Sequence, residues 1–259
     1  MSVLSEILAH KLTEVDYARR RRPASELEKR IADMPPTRDF IGALRSAERP
    51  ALIAEVKKAS PSKGVIREDF DPVAIARTYA DNGAACVSVL TDEPFFQGHL
   101  SHLRVVRAVV DRPLLRKDFL IDDYQLLESR EAGADAVLFV VAALRRADVE
   151  AMVQRTRSLG MEALVEVHNR EELEEALGTT ARVIGVNNRD LHQFRTTLQT
   201  TLDLMPLIPA DRLVVSESGV SRRADVERLR DVGVHAVLVG EALMREKDMG
   251  AKVRELLGR

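Results

Sequence analysis

The stretch LIAEVKKASPSKG, Leu52 to Gly64, decides how the rest of the chain is read. It opens as an apolar run. It then places Glu55, Lys57 and Lys58 within four residues and closes on Ser60-Pro61-Ser62-Lys63-Gly64, a cluster that stops regular structure. A buried segment that turns charged only at its C-terminal end is what a sheet strand looks like when that end faces a site.

Seven further apolar segments follow: ACVSVL at 85–90, RPLLRKDF at 112–119, DAVLFV at 135–140, EALVEV at 162–167, RVIGVN at 182–187, RLVVSES at 212–218 and HAVLVG at 235–240. They are rich in Val, Leu and Ile and almost continuous in hydrophobicity, as strands buried on both faces are. Between them run helical patterns with charged outer faces, clearest at 71–84, 121–134, 146–161, 170–178 and 221–234. Gly83, Gly133, Gly160 and Gly233 stand where a left-handed C-cap is needed, and Asp71-Pro72 supplies an N-cap and a first-turn proline. Strand then helix, about eight times over roughly 200 residues, is the count of a (β/α)8 TIM barrel. The alternative is an open doubly wound sheet, but no Gly-rich dinucleotide fingerprint follows the first strand. No linker divides the chain, so residues 1–259 read as a single barrel domain.

Residues 1–49 stand outside this rhythm and read as an N-terminal helical extension. Val3, Leu4, Ile7, Leu8 and Leu12 mark one helix face, Ser25-Glu26-Leu27-Glu28 has the form of a capping box, and MPPTRDF at 34–40 breaks the second helix. The extension either packs on the barrel and closes one end, or is an oligomer contact or simple appendage.

Composition narrows the function classes. A hydrophobic share of 45% supports a sizeable core, and a net charge of −2 with interspersed signs excludes a nucleic-acid surface or a membrane-binding face. The first helix is interrupted by Glu6, His10, Lys11, Glu14 and Asp16, so it offers neither the clean apolar h-region nor the small-residue cleavage site expected of a signal peptide, and no uncharged run approaches a membrane span. Cys86 stands alone, so no internal disulfide forms and a reducing, cytoplasmic location is expected.

The charged end of the opening stretch has counterparts. Lys117 and Asp118 close the third strand, Glu166 the fifth with His168 just beyond, Asn187, Asn188 and Arg189 the sixth, and Ser216, Glu217 and Ser218 the seventh. In a barrel these ends share one mouth, where such enzymes do chemistry. Alternation puts Glu55 with Lys57, Lys117 with Leu115 and Phe119, and Glu166 with Leu164 and His168. One such charge is equally well a solvated loop residue. Five strands ending alike point to opposite charges that satisfy one another and stay poised for proton transfer. Ser218-Gly219 and Gly240-Glu241, after the seventh and eighth strands, would offer backbone N–H groups at helix N-termini to a phosphate. No third ligand accompanies His99 and His102, so no metal is expected. Arg19 to Arg22 read as a solvated helix end. In DEPFFQG at 92–98, one phenylalanine is expected in the core and its neighbour exposed enough to stack on an aromatic substrate.

IAEVKKASPSKG, LLRKDF, LVEVH, GVNNRDL, SESG and GEALMR are similar, in order and separation, to the signature of indole-3-glycerol phosphate synthase, the tryptophan-biosynthesis enzyme. The resemblance covers nearly the whole chain, extension included. It implies a ring closure of 1-(2-carboxyphenylamino)-1-deoxyribulose 5-phosphate with loss of carbon dioxide and water, needing no cofactor. By resemblance, Lys117 is the general acid, Glu166 the general base, and Lys57, held by Glu55, the second catalytic lysine, with the division of steps between the lysines left open. Asn187, Arg189 and Glu217 orient substrate and hold the charge network, and Ser60 sits on the loop after the first strand. Ser218, Gly219 and Gly240 form the phosphate clamp, with Glu241 beside it. Phe96, Phe119, Leu138 and Leu191 are walls for the anthranilate ring. Pro94 stands where a polar residue is expected, and Glu241 fits beside a phosphate only with its carboxylate turned away. The implied partner is a small phosphorylated molecule, and association with other tryptophan-pathway enzymes is left open. A sugar-phosphate isomerase barrel would want a carboxylate/thiol or paired-aspartate couple, which these strand ends lack. A catalytically dead barrel kept for binding should show a broken catalytic position, and none is broken.

Overall fold

The computed structural model of the protein describes residues 3–48, 50–190 and 195–259. Eight parallel strands close on themselves: β1 Ala51–Val56, β2 Cys86–Leu90, β3 Leu114–Lys117, β4 Ala136–Val140, β5 Glu162–Val167, β6 Val183–Asn187, β7 Leu213–Glu217 and β8 Ala236–Val239. Closure is made by β1, which pairs in parallel with β2 on one side (Ile53 opposite Cys86) and with β8 on the other (Ala51 opposite Ala236). That second pairing removes the open doubly wound sheet.

Alternate residues along each strand enter two different cores. Ile53, Leu115, Leu138, Leu164, Val215 and Leu238 fill the barrel, while Leu52, Val87, Val137, Val165, Ile184 and Val237 pack under the helices. Burial on both faces is why the segments read as nearly unbroken apolar runs.

The helices are α1 Val3–Arg21, α2 Ala24–Ala32, α3 Phe40–Ser46, α4 Pro72–Asp81, α5 Glu93–Phe96, α6 Leu100–Arg107, α7 Asp123–Glu131, α8 Arg146–Ser158, α9 Arg170–Leu177, α10 Gln199–Leu204, α11 Arg223–Asp231, α12 Glu241–Met244 and α13 Met249–Leu257. Asp71 caps α4 by accepting from Val73 and Ala74 N–H, and Pro72 follows at its first turn. Gly83, Gly133, Gly160 and Gly233 all take positive φ, as the C-cap reading requires. No helix among the described residues is long and apolar enough to cross a membrane.

The extension departs from expectation in three ways. The buried face of α1 is Ile7, Lys11 and Val15, while Leu12 is 65% exposed and Leu8 only half-buried. A lysine occupies the middle of the inward stripe because two buried carboxylates, Asp92 and Asp118, receive it at 3.0 and 2.9 Å. There is no capping box at residues 25–28: α2 already begins at Ala24, with Pro23 at the N-cap and no side-chain cap. And the extension meets both ends of the barrel. Phe40, Ile41 and Leu44 of α3 pack with Ala51, Ala85, Leu213 and Ala236 at the strands' N-terminal ends, while Val3, Leu4 and Ile7 line the opposite mouth.

The segment after β1 is also more regular than expected. Ala59–Ser60 pairs antiparallel with Gly64–Val65, a small hairpin that turns through Pro61, Ser62 and Lys63 and leaves the turn at Gly64 with φ 64°.

Candidate active site

Fifteen of the predicted site residues line one cavity at the C-terminal mouth: Glu55, Lys57, Ser60, Phe96, Lys117, Phe119, Leu138, Glu166, Asn187, Arg189, Glu217, Ser218, Gly219, Gly240 and Glu241. Leu191 lies outside the described residues. Alternation sorts the polar strand ends. Lys117 turns inward, but its neighbour Asp118 turns out, accepting from Thr91 Oγ1 at 2.5 Å and Arg116 at 3.0 Å. Asn187 turns inward, but Asn188 turns to Ser216 and Thr201 under the helices.

At the centre, Lys117 Nζ lies 3.0 Å from Glu166 Oε2 and 3.6 Å from Glu217 Oε2. Glu166 Oε1 accepts from Asn187 Nδ2 at 3.0 Å, and Asn187 Oδ1 is itself held by the Arg189 N–H. Across the mouth, Lys57 Nζ pairs with Glu55 Oε2 at 2.6 Å. Two glycines on inward positions make room for these carboxylates. A Cβ on Gly185 would stand 2.3 Å from Glu217 Oε1, and one on Gly240 would stand 2.1 Å from Glu55 Oε2.

The charges push one another apart in proton affinity. Burial alone would lower the Lys117 ammonium, but Glu166, Glu217 and Glu55 raise it above its ordinary value, so it stays charged. Burial would raise Glu166, yet Lys117 first and then His168 and Asn187 hold it well below the ordinary carboxylate range. Glu217 is pushed well above that range by burial and the neighbouring Glu166, against Lys117. Two carboxylates pushed apart in proton affinity thus share one spot with an ammonium, an arrangement suited to acid–base chemistry.

Phe96 and Phe119 stand as tilted walls with ring centroids 6.3 Å apart. Neither member of the Phe95–Phe96 pair lies in the core: both are half-buried, and Phe95 meets His10 of α1 edge-on at 6.3 Å. Asp92 keeps the loop short by capping α5 through the Phe95 N–H, and Pro94 fits in that first turn because its missing N–H has no helical partner to lose. Of the two anion loops, only Gly240 stands at a helix N-terminus, that of α12. Ser218 and Gly219 form a left-handed turn at φ 63° and 86°, and α11 starts only at Arg223. The Glu241 carboxylate is taken up by Arg245 at 3.0 Å and Arg189 at 3.4 Å; despite the cost of burial, the Arg245 hydrogen bond keeps it below the usual range. Arg189 also reaches Ser62 Oγ at 3.0 Å, tying the loop after β6 to the hairpin after β1.

Three contributors carried no role in the sequence reading. Lys11 reads as a solvated helical lysine until its partners from β2 and β3 are known. Gly185 is an ordinary small residue until Glu217 faces it. His168 was visible two residues beyond Glu166, and its Nε2 lies 3.2 Å from Glu166 Oε1.

A closed (β/α)8 barrel with this charged mouth defines a barrel enzyme of acid–base chemistry. The family model described as indole-3-glycerol phosphate synthase matches residues 4–256. A relative of that name from Roseiflexus castenholzii is 55% identical over 100% of this chain and 99% of its own length, and one from Burkholderia vietnamiensis is 51% identical over 98% of each. The chain belongs to the indole-3-glycerol phosphate synthase family. Two solved structures share the fold alone. The KGPDC of Streptococcus mutans has TM-score 0.63 at 12% identity, covering 82% of this chain and 97% of that one. The tryptophan synthase complex of Pyrococcus furiosus has TM-score 0.60 at 19% identity, covering 81% of this chain and 98% of that one.

Proposed function

We infer that the protein is an indole-3-glycerol phosphate synthase that closes the ring of 1-(2-carboxyphenylamino)-1-deoxyribulose 5-phosphate, releasing carbon dioxide and water, in tryptophan biosynthesis. The observation that carries this reading is Lys117 Nζ held between Glu166 and Glu217 in the same mouth as the Lys57–Glu55 pair. In the ring closure an aromatic carbon attacks the C2′ ketone, and the alkoxide that develops needs a proton. Lys117, charged and half-buried, is the acid for that step. Loss of carbon dioxide restores aromaticity. The hydroxyl then leaves as water, which needs an acid and a base. Lys57, aimed by Glu55, and Glu166 supply such a pair, with Glu217 on the other side of Lys117 and Asn187 holding Glu166 in place.

The same reading assigns Ser218, Gly219 and Gly240 to the phosphate, Arg189 and Ser60 to the substrate's polar groups, and Phe96, Phe119, Leu138 and Leu191 to the anthranilate ring. It takes residues 1–259 as one barrel domain with 1–49 as its extension, working in the cytoplasm on a small phosphorylated substrate and free to associate with other tryptophan-pathway enzymes. Indole fluorescence should appear when pure protein meets the substrate without added metal. Lys117→Ala should lose roughly a thousandfold in kcat with an unchanged far-UV circular dichroism spectrum. Activity near wild type in that variant would remove Lys117 from the mechanism.

A further inference from the structure

Glu166 is gripped by a third group, His168. The two side chains stand two residues apart, at the end of β5 and just beyond it, and His168 Nε2 lies 3.2 Å from Glu166 Oε1. On its other side His168 Nδ1 meets Glu172 Oε2 at 2.9 Å. Glu172 is itself pinned at the start of α9. Its Oε2 accepts the His168 backbone N–H at 2.9 Å, its Oε1 accepts from Asn169 Nδ2 at 2.8 Å, and its own N–H is capped by Asn169 Oδ1 at 2.9 Å. The ring is only 9% exposed, with a carboxylate oxygen at each nitrogen. Nδ1 is within hydrogen-bond reach of Glu172, while Nε2 makes no hydrogen bond among the described residues and stands at ion-pair distance from Glu166 Oε1, so a ring protonated at both nitrogens is attracted to a carboxylate on each side.

We propose that His168 is a positioning residue, an imidazolium strung between Glu172 and Glu166 that keeps Glu166 ionised and aimed at Lys117. The proposal rests on Glu166 being the proton-transfer carboxylate of the reading above. Burial would lower the ring's affinity for its proton, but the Glu166 and Glu172 carboxylates beside its two nitrogens outweigh it and push the ring up to about 10. The other charges around it leave that sign standing. Lys117 from β3 lies beyond Glu166, and Asp190 and Arg195, from the segment after β6, line the cavity that His168 and Glu172 also line. Leu4 of α1 and Ala142 after β4 form uncharged walls of that cavity.

Without the imidazolium, Glu166 keeps Lys117 but takes up a proton more readily. In His168→Gln the acid limb of the kcat/KM–pH profile should move up by about one pH unit. In the same variant kcat at neutral pH should fall roughly ten- to a hundredfold while KM changes little. Glu172→Gln, on the more exposed partner, should move the limb the same way by less, and it carries the kinetic test if His168→Gln fails to fold. Nitrogen-15 spectra of the wild-type ring should show both nitrogens protonated at pH 8, with a midpoint near the value above. A ring that titrates near the ordinary 6.5 overturns the proposal. So do pH profiles that superimpose on wild type, whatever the loss in kcat. A wild-type protein with no turnover would instead sink the ring-closure reading, and the ring titration would still decide the charge of His168.

Discussion

Lys117, Glu166 and Glu217 show how single positions acquire chemistry from what stands opposite them. Each sits on an inward position at a strand's C-terminal end, and each is polar where the preceding inward residue is apolar. That contrast is local, so these residues were legible in the sequence. The glycines opposite were not. Gly240 was read for its backbone N–H alone, yet it also clears the space that Glu55 occupies. Gly240→Ala should therefore push Glu55 off Lys57, costing about 1–3 kcal/mol in denaturant unfolding and roughly a hundredfold in kcat. A variant with wild-type turnover would show that the Glu55–Lys57 contact at 2.6 Å is not needed for the reaction.

α1 is the element whose role changed most between sequence and structure. Its apolar residues suggested a face through Leu8 and Leu12, but a helix turns toward whatever receives it. Here the receiver is a pair of buried carboxylates, Asp92 and Asp118, reached by Lys11. Asp92 also caps α5, which carries Phe96, and Asp118 also holds the Phe119 N–H at 2.8 Å. The lysine therefore ties α1 to both aromatic walls. Lys11→Met should leave Asp92 without its cation and Asp118 with Arg116 alone in the interior, and destabilise the protein by about 3–5 kcal/mol in urea unfolding. It should also raise KM more than it lowers kcat, because the walls loosen while Lys117 and Glu166 stay. A variant as stable as wild type would mean that the two aspartates find protons or other partners at no cost. The helices of the barrel itself were easier to read, because Asp71, Pro72 and the C-cap glycines act on their own neighbours.

For the molecule as a whole, the buried charges set the acid limit of stability. Asp118 resists burial's upward push because Arg116 and Lys11 hold it at about 2, and the part-buried Glu131 is likewise held at about 2 by Arg22 and Arg104. Both lie below their unfolded values of about 4. Their contribution is complete above that pH and is lost as the pH falls through the folded values, on the order of 2 kcal/mol for Asp118. The denaturation midpoint should drop steeply between pH 4 and 2. Asp118→Asn should flatten that drop, and an equally steep fall in the variant would place the acid sensitivity elsewhere. The sequence by itself determined the strand–helix rhythm, the caps that start and stop the helices, and the set of strands that end in charge, because each depends on neighbours along the chain or on a repeat of two or 3.6 residues. Tertiary structure alone decided the phase of α1, the partner of Lys11, the room that Gly185 and Gly240 leave, and the chain of charges from Glu172 through His168 and Glu166 to Lys117. Those depend on which side chains from distant segments share a low-dielectric space, and burial is what turns such a meeting into a shifted proton affinity.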